Sequence, residues 1–412
     1  MKRLIRFKVA KIMTENLYPL PNNWRWEKLE NVAEIIMGQS PKGDETTDDS
    51  KFTPLIGGAA DIGNLFPKIT RYTKAPIKLS KKDDVIICVR ATLGKPIFSD
   101  GEYCLGRGVA AIRPLETSKN FLRYSFINFE QYLYDNAAGS TFLQITSTKL
   151  KNFPIPIPPL DEQKRIAALL DSIFEKLDAA KNIVQKISDG YELRRAAILY
   201  CAFIGKLTEN FRAENGLTFN DWQEKTLSDL LLPMETRRPT GETFRYIDID
   251  SIDNRRQVVK APKIIETAKA PSRASRAVDS DNVLFSMVRP YLKNIALIDD
   301  NLKDCIASTG FFVCRCNENI LPKFLYNFLR SLDTINYLMQ FMKGDNSPSI
   351  RQENFLGTPI NLPSVDEQKE IVRILEKLLA NEQRTKDIAE NVLAQIDALK
   401  KNILARAFRG EI

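Results

Sequence analysis

Acid-base and nucleophilic chemistry at neutral pH most often rests on histidine, and this chain of 412 residues contains none. Ser-His-Asp and Cys-His relays, His-ligated zinc and an imidazole general base are therefore excluded. The six cysteines (Cys88, Cys104, Cys201, Cys305, Cys314, Cys316) form no C-x-x-C pair, so a four-thiolate zinc site has no support either. Cys314 and Cys316, in the apolar run from Gly310 to Cys316, read as small buried residues on one strand face. Glu162-Gln163-Lys164 and Glu367-Gln368-Lys369 match the E-x-K fragment of metal-dependent nucleases. Each, however, opens a helix instead of lying on a strand behind an upstream Asp. No phosphate-binding G-x-x-x-x-G-K-[ST], no G-x-G-x-x-G and no Asn/Asp-Pro-Pro-aromatic tetrad of amino-methylating enzymes occurs. The expectation is a chain that binds, with no catalytic residue, metal or cofactor of its own.

What it could bind is suggested by short stretches in which Gly or Pro meets basic and amide side chains. The first half of the chain offers Gln39, Ser40 and Lys42 behind Gly38, then Arg71, then Arg90, Thr92 and Lys95 around Gly94, Arg107 between two glycines, and Ser140 with Thr141 after Gly139. The second half offers Arg237-Arg238, Ser272, Arg273 and Arg276, Arg289 with Tyr291, Lys293 and Asn294, and Asn346-Ser347. Arg forks can read guanine and Gln or Asn can read adenine, while Ser, Thr, Lys and backbone amides seat phosphates. Charge points the same way. Residues 1–154 carry a net +7 of the chain's +8, and residues 236–277 hold 10 basic against 5 acidic side chains inside an otherwise balanced region. A duplex attracts such patches through its phosphates. Each residue taken singly serves equally well as a turn former or a solvated surface group.

The elements that must position these groups follow from an internal repeat. Ile155-Pro156-Ile157-Pro158-Pro159-Leu160-Asp161-Glu162-Gln163-Lys164 returns as Ile360-Asn361-Leu362-Pro363-Ser364-Val365-Asp366-Glu367-Gln368-Lys369, an offset of 205 residues. The offset still holds some forty residues later, at Phe203 and Phe408. Sparser landmarks relate the fronts: Trp24 with Leu29 to Trp222 with Leu227, and Val89-Arg90 to Val288-Arg289. The fronts, with short apolar strand-like runs broken by Gly, Pro, Asn and Asp, predict two small α/β domains. The backs predict helices that start at Asp161 and Asp366 as N-caps. The first helix, about 43 residues long, places Ile166, Leu170, Ile173, Leu177, Ala180, Val184, Ile187, Tyr191 and Ile198 on a heptad-like seam. The second repeats it with Ile371, Leu375, Leu378, Ala389, Val392, Ile396, Leu399 and Ile403, after a polar gap at Glu382 and Thr385 set opposite Ser188–Gly190. A lone helix would expose that seam, so the two are expected to pack as an antiparallel coiled coil with pseudo-twofold symmetry. The domain division is 1–154, 155–207, 208–358 and 359–412. No apolar run reaches 18 residues and the N-terminus is charged, which predicts a cytoplasmic protein with no membrane span.

With its doubled Pro-x-x-Asp-Glu-Gln-Lys junctions and its two unlike fronts, the chain resembles the DNA specificity subunit of type I restriction-modification systems along essentially its whole length. Val89–Gly94, Leu105–Ile112, Ala270–Arg276 and Val288–Asn294 also resemble stretches of that family's domains. The resemblance implies two target-recognition domains, each reading one half of a bipartite asymmetric site in double-stranded DNA, with the helices as spacer. It implies a non-catalytic subunit that recruits two modification (methyltransferase) subunits, which use S-adenosylmethionine, and restriction subunits, which translocate and cut using ATP and Mg. An exposed seam or docking surface leaves homodimerisation of the isolated chain open. A stand-alone bipartite DNA-binding regulator would instead bind its site without partners, and a helical scaffold would show no salt-dependent DNA binding.

Overall fold

The structure, a computed structural model, describes residues 18–139 and 143–412. Ser140 and Thr141 lie outside the described residues. In chain order, the first front holds strands β1 (Arg25–Lys28), β2 (Ala33–Met37), β3 (Thr53–Ile56), β4 (Val85–Arg90), β5 (Thr92–Phe98), β6 (Cys104–Leu105), β7 (Val109–Pro114) and β8 (Pro154–Ile157), with helix α1 (Lys119–Asn128) before β8. Helices α2 (Leu160–Asp189), α3 (Tyr191–Phe203) and α4 (Glu209–Glu214) follow. The second front holds β9 (Gln223–Thr226), β10 (Leu231–Leu232), β11 (Thr243–Ile247), β12 (Ala274–Ala277), β13 (Val283–Ser286), β14 (Ile295–Leu297), β15 (Ile306–Ser308), β16 (Phe311–Cys316) and β17 (Pro359–Leu362), with α5 (Pro322–Arg330) before β17. Helix α6 (Val365–Phe408) closes the chain.

The two fronts share one topology. A four-stranded antiparallel sheet runs β2-β7-β4-β5 in the first and β10-β16-β13-β14 in the second. A second sheet contains a parallel pair, β3 with β6 and β11 with β15. A two-stranded ribbon fastens the start of each front to its end, Arg25 opposite Ile157 and Gln223 opposite Leu362. The sequence reason is visible in β4, where Val85 to Val89 are all buried. Val85, Ile87 and Val89 enter one core while Ile86 and Cys88 enter another, so a continuous apolar run marks a strand covered on both faces. In the second front Val283 and Phe285 likewise part from Leu284. Trp24 and Trp222, each 8% exposed, with the fully buried Leu29 and Leu227, anchor equivalent positions. Cys314 is buried and Cys316 half-buried, and all six cysteines are free thiols.

The described residues divide into two compact units that do not follow the sequence repeats. One comprises the chain up to Val184 with Asn391–Ile412, and the other Gln185–Glu390. In the first unit the end of α6 enters the core of the first front, where Phe408 packs on Phe121 at 4.8 Å between ring centres. In the second, the end of α3 enters the other core, where Phe203 meets Phe324 and Phe328 edge-on at 5.4 Å. Each front is thus completed by the final turns of the other repeat's helix.

The helices run antiparallel in both units. Lys400 pairs with Asp178 at 2.5 Å and Lys181 with Asp397 at 2.6 Å in the first. In the second, Arg194 pairs with Glu382 at 2.8 Å, and the Tyr191 hydroxyl donates to Gln383 at 2.7 Å. Ile166, Leu170, Ile371, Leu375 and Ile396 are buried and Ile173, Leu177, Val184, Leu378 and Val392 half-buried. Three expectations change. The first helix is two, broken at Gly190. Ile187 and Leu399 are 40% and 46% exposed, because a straight helix drifts off a seven-residue repeat and the buried line near the end moves to Leu404, Ala407 and Phe408. Asp161 and Asp366 lie inside the first helical turn, not at the cap; the Ser364 hydroxyl accepts from the Glu367 amide at 3.3 Å instead. At these positions the two aspartates still face the positive end of the helix dipole.

The polar gap has partners, Glu382 and Gln383, whereas the exposed Thr385 donates to Asn381 of its own helix at 2.9 Å. Because the Arg194–Glu382 pair is partly solvated, replacing Glu382 by Leu is expected to cost less than about 1 kcal/mol, and Thr385 by Leu nothing measurable. Urea unfolding of the two variants checks both, and a large loss at Thr385 would contradict the geometry.

Candidate nucleic-acid interface

In the first front three loops nest by close approach of their backbones at glycines. As β2 ends, the Gly38 amide donates to the Val109 carbonyl at 3.0 Å and the Gln39 amide to the Leu105 carbonyl at 2.8 Å. The Ser40 hydroxyl then accepts from the Arg107 amide at 3.1 Å. A Cβ on Gly38 would stand 2.1 Å from the Gly106 carbonyl oxygen, and one on Gly108 would stand 2.2 Å from that of Gly57, so only glycine permits the approach. The Asp61 carboxylate, 2% exposed, ties in the third loop, accepting from the Gly57 amide at 2.7 Å and from Arg71 at 3.1 Å. The Val89 amide donates to the Gly108 carbonyl at 2.9 Å, which brings the β4–β5 hairpin alongside.

Gln39, Ser40, Arg107 and Arg90 therefore stand exposed around one rim, with Thr92 half-buried at the hairpin. Arg71 joins them through Asp61. Lys42 is exposed two residues beyond Ser40, and Lys95 is exposed farther along β5. The hairpin turns at Ala91, whose φ is +60°. Its amide donates to the Leu143 carbonyl at 2.8 Å, and Arg90 bridges Gln144.

The second front repeats this scaffold with other side chains. The Met287 amide donates to the Gly310 carbonyl at 2.9 Å, the Arg289 amide to the Pro348 carbonyl at 2.8 Å, and Val288 bridges Ser349. Arg289, with φ +49°, thus occupies the place of Ala91. The expected match of Val89-Arg90 to Val288-Arg289 is one residue out of step: Val89 corresponds to Met287 and Arg90 to Val288. Residue identity misled because the scaffold conserves a left-handed turn, not an arginine.

A cleft of about 1000 Å³ opens here, lined among others by Tyr246, Asp248, Asp250, Arg273, Arg289, Asn294 and Ser347. Ser272 and Asn346 are exposed beside it, and Arg289 donates to the Asn346 carbonyl at 2.6 Å. The remaining residues do not converge on it. Arg237 reaches Asp279 at 3.4 Å with Arg238 exposed beside it. Arg276 is half-buried with an unpartnered Nε, Tyr291 is exposed outside the lining, and Lys293 is half-buried, also outside the lining. Asp248 and Asp250 offset the arginines locally. Burial works against the Asp248 carboxylate, but hydrogen bonds from Lys263 and Ser251 outweigh it and hold its pKa below the ordinary value. It stays charged, and a carboxylate can accept from a cytosine amino group.

The doubled Asp-Glu-Gln-Lys motif holds each front to its long helix. Gln163, 2% exposed, accepts from the Ser118 amide ahead of α1 at 2.9 Å and donates to the Pro158 carbonyl at 3.0 Å. Gln368, fully buried, accepts from the Leu321 amide ahead of α5 at 2.8 Å and donates to the Pro363 and Asn319 carbonyls. The E-x-K triplets thus carry a structural clamp that sequence reasoning missed, although the repetition of the glutamine was its signal.

The sequence pattern of the type I restriction modification DNA specificity domain matches residues 21–189 and 220–393, one copy for each repeat. The chain belongs to that family. Members similar to it include the EcoBI specificity subunit of Escherichia coli, 24% identical over 96% of this chain and 88% of that protein, and the EcoKI subunit of strain K12, 25% identical over 95% and 90%. A putative MjaX specificity subunit of Methanocaldococcus jannaschii is 31% identical over 46% of the chain, a match spanning 44% of that relative's length. The fold of this specificity-family chain matches the HsdS subunit of Thermoanaerobacter tengcongensis at TM-score 0.63 with 21% identity, covering 97% of the chain and 100% of that structure. A chain from a type I R-M assembly study matches at TM-score 0.76 with 19% identity over 96% and 100%. No described helix is long and apolar enough to cross a membrane.

Proposed function

We propose that this chain is the sequence-reading subunit of a type I restriction-modification complex. Each front reads one half of a bipartite, asymmetric site in duplex DNA, and the antiparallel helices fix the unread gap. The chain is non-catalytic: modification subunits bring S-adenosylmethionine and methylate adenines, and restriction subunits bring ATP and Mg. The observation that carries this reading is one backbone scaffold built twice and furnished with different polar side chains, Gln39, Arg90 and Arg107 in one rim and Arg273, Arg289 and Asn294 in the other. Two unlike readers on equal frames give an asymmetric bipartite site.

Co-expression with the modification subunits, followed by sequencing of methylated adenines, tests the whole reading. It predicts two short unlike sequences at a fixed gap. Exchanging residues 208–358 for those of a relative is expected to change one half-sequence only. Adding one turn to each of the two antiparallel stretches, about 5.4 Å of rise, is expected to change the gap and neither half-sequence. An unchanged gap would remove the spacer role.

A further inference from the structure

One groove beside the long helices is built in both units and filled in one. In the second unit a hairpin closed by Ile252 against Val259 carries Gln257, 1% exposed, into it. Arg195 on α3 and Arg330 on α5 donate to the Gln257 side-chain oxygen, Arg330 at 2.5 Å, and the Tyr326 hydroxyl donates to its carbonyl at 2.8 Å. The two grooves align residue by residue. The 205-residue offset relates α3 to the end of α6. The glutamine clamps on the Ser118 and Leu321 amides relate α1 to α5 by 203, an offset that Phe121 and Phe324 share. Arg195, Tyr326 and Arg330 therefore hold the places of Lys400, Arg123 and Ile127. In the first unit those three, with Phe174 and Leu404, line a groove of about 720 Å³. It faces solvent, since Gln131, Glu175 and Lys401 in its lining are exposed and Arg123, Ile127 and Lys400 half-buried. Hairpin length explains the difference. Each front sends out a hairpin after its parallel strand and a short 3-10 turn, but Ile62 pairs with Pro67 where Ile252 pairs with Val259, six residues against eight. The short hairpin stops at β5, where the Phe98 amide donates to the Leu65 carbonyl at 2.8 Å. Its tip leaves Leu65 and Phe66 40% and 45% exposed. The Arg123 guanidinium lies 5.7 Å over the Phe98 ring, so this apolar tip and the groove meet at Phe98.

We infer that the groove of the first unit receives a turn of a modification subunit, which presents oxygen acceptors to Arg123 and Lys400 as Gln257 does to their counterparts. The inference rests on the proposed function. Both cations keep donors for it: Arg123 bonds the Pro96 carbonyl through Nε at 3.2 Å and Lys400 bonds Asp178 at 2.5 Å, and each group carries further N–H bonds. Three basic side chains against four acidic ones line the groove, so it lacks the basic excess that holds a DNA backbone and suits a polypeptide of mixed charge. A second copy of this chain is a poor occupant, because its own hairpin is already held in its own second groove. Leu65 and Phe66 give the incoming turn an apolar neighbour, as exposed apolar patches at interaction sites do. The consequence is asymmetry. The second groove is filled by the chain itself, so of two modification subunits on the two repeats only one gains this contact.

The test dilutes the complex of the full chain with co-expressed modification subunits and reads the species present by native mass spectrometry. Wild type is expected to lose one modification subunit well before the other, beyond the statistical difference between two equal sites. Ala405→Trp, which fills the groove, and separately Phe66→Ser, at its exposed border, are each expected to weaken the tighter step about tenfold, the size of one interface hot spot. The two losses then draw together, while thermal unfolding stays that of wild type. Equal steps in wild type, or variants that weaken neither step or both alike, overturn the groove and leave the reading intact. A wild type that binds no modification subunit overturns both. If Ala405→Trp instead abolishes self-association of the isolated chain in sedimentation, the occupant is a second copy. If it lowers the slope of log affinity on log salt for duplex, the occupant is DNA backbone. Either result refutes the partner turn.

Discussion

Replacing Glu367 by Ala is expected to destabilise the second unit by about 3–5 kcal/mol, while the same change at Glu162, its counterpart in the first repeat, costs about 1 kcal/mol or less. Glu367 is 2% exposed and satisfies three donors: the Thr208 hydroxyl at 2.7 Å, the Arg212 guanidinium at 2.6 Å and the Trp222 indole at 2.9 Å. Arg212, 6% exposed, also donates to the Gly205 carbonyl at 2.5 Å and lies over the rings of Phe219 and Trp222. Truncating the carboxylate strands a buried cation, and the loss is a large part of a typical domain stability of about 5–15 kcal/mol. Among the described residues Glu162 pairs with Arg165 alone, across one helical turn, with half of the arginine side chain exposed. Urea unfolding measures the difference. Hydrogen exchange over residues 205–222 shows whether it is local, since the cluster joins the chain after α3 to the start of α6. Equal losses at the two positions would refute the assignment.

The second large effect concerns Gly38. A single methyl group there meets the Gly106 carbonyl at 2.1 Å, too close for any small relaxation, so the 38–42 and 106–108 loops must separate. Overpacking of this kind costs about 1–3 kcal/mol. The larger consequence falls on recognition, because Gln39 and Ser40 move away from Arg107 and Arg90. Each lost base contact removes about 1–3 kcal/mol of discrimination, so on the proposed function Gly38→Ala weakens binding about tenfold or more and relaxes one half-sequence alone. Gly43→Ala, in the same loop with open space around it, is the control and should bind normally. The readout is selection from a random duplex pool together with affinity at fixed salt. Retention of both half-sequences by Gly38→Ala would remove this rim from the interface.

Much of the architecture was legible in the residue order. The 205-residue offset announced two copies, and the apolar runs at β4 and β13 read as strands; that both are central and covered on both faces, which is why they do not alternate, came from the structure. Seam positions such as Ile166, Leu170, Ile371 and Leu375 followed from helical periodicity. The site was less legible. Gln39, Ser40, Arg90 and Arg107 come together on one rim although their stretches were candidates only one by one, whereas Arg237, Arg276 and Lys293 do not join the second cleft, since basic composition records charge and not direction. Asp61, Gln163, Gln368 and Glu367 gave little sign of their roles, because their partners lie far away along the chain or are backbone groups.

Residue order alone determined the duplication, the helical backs with their apolar seams, the absence of imidazole chemistry and the unlike polar furnishing of the two fronts, for these are read from repetition, period and composition; the antiparallel pairing was an expectation that contacts such as Lys181 with Asp397 bear out. Tertiary structure alone decided that Phe408 completes the first core and Phe203 the second, that Ala91 and Arg289 are equivalent, and that one of two identical glutamates is buried against an arginine. The physical reason is the same in each case. Hydrophobic closure and hydrogen-bond satisfaction act between segments as much as 390 residues apart, as when the Tyr18 hydroxyl meets the Phe408 carbonyl at 2.9 Å, and no local pattern encodes which distant surface will exclude the water.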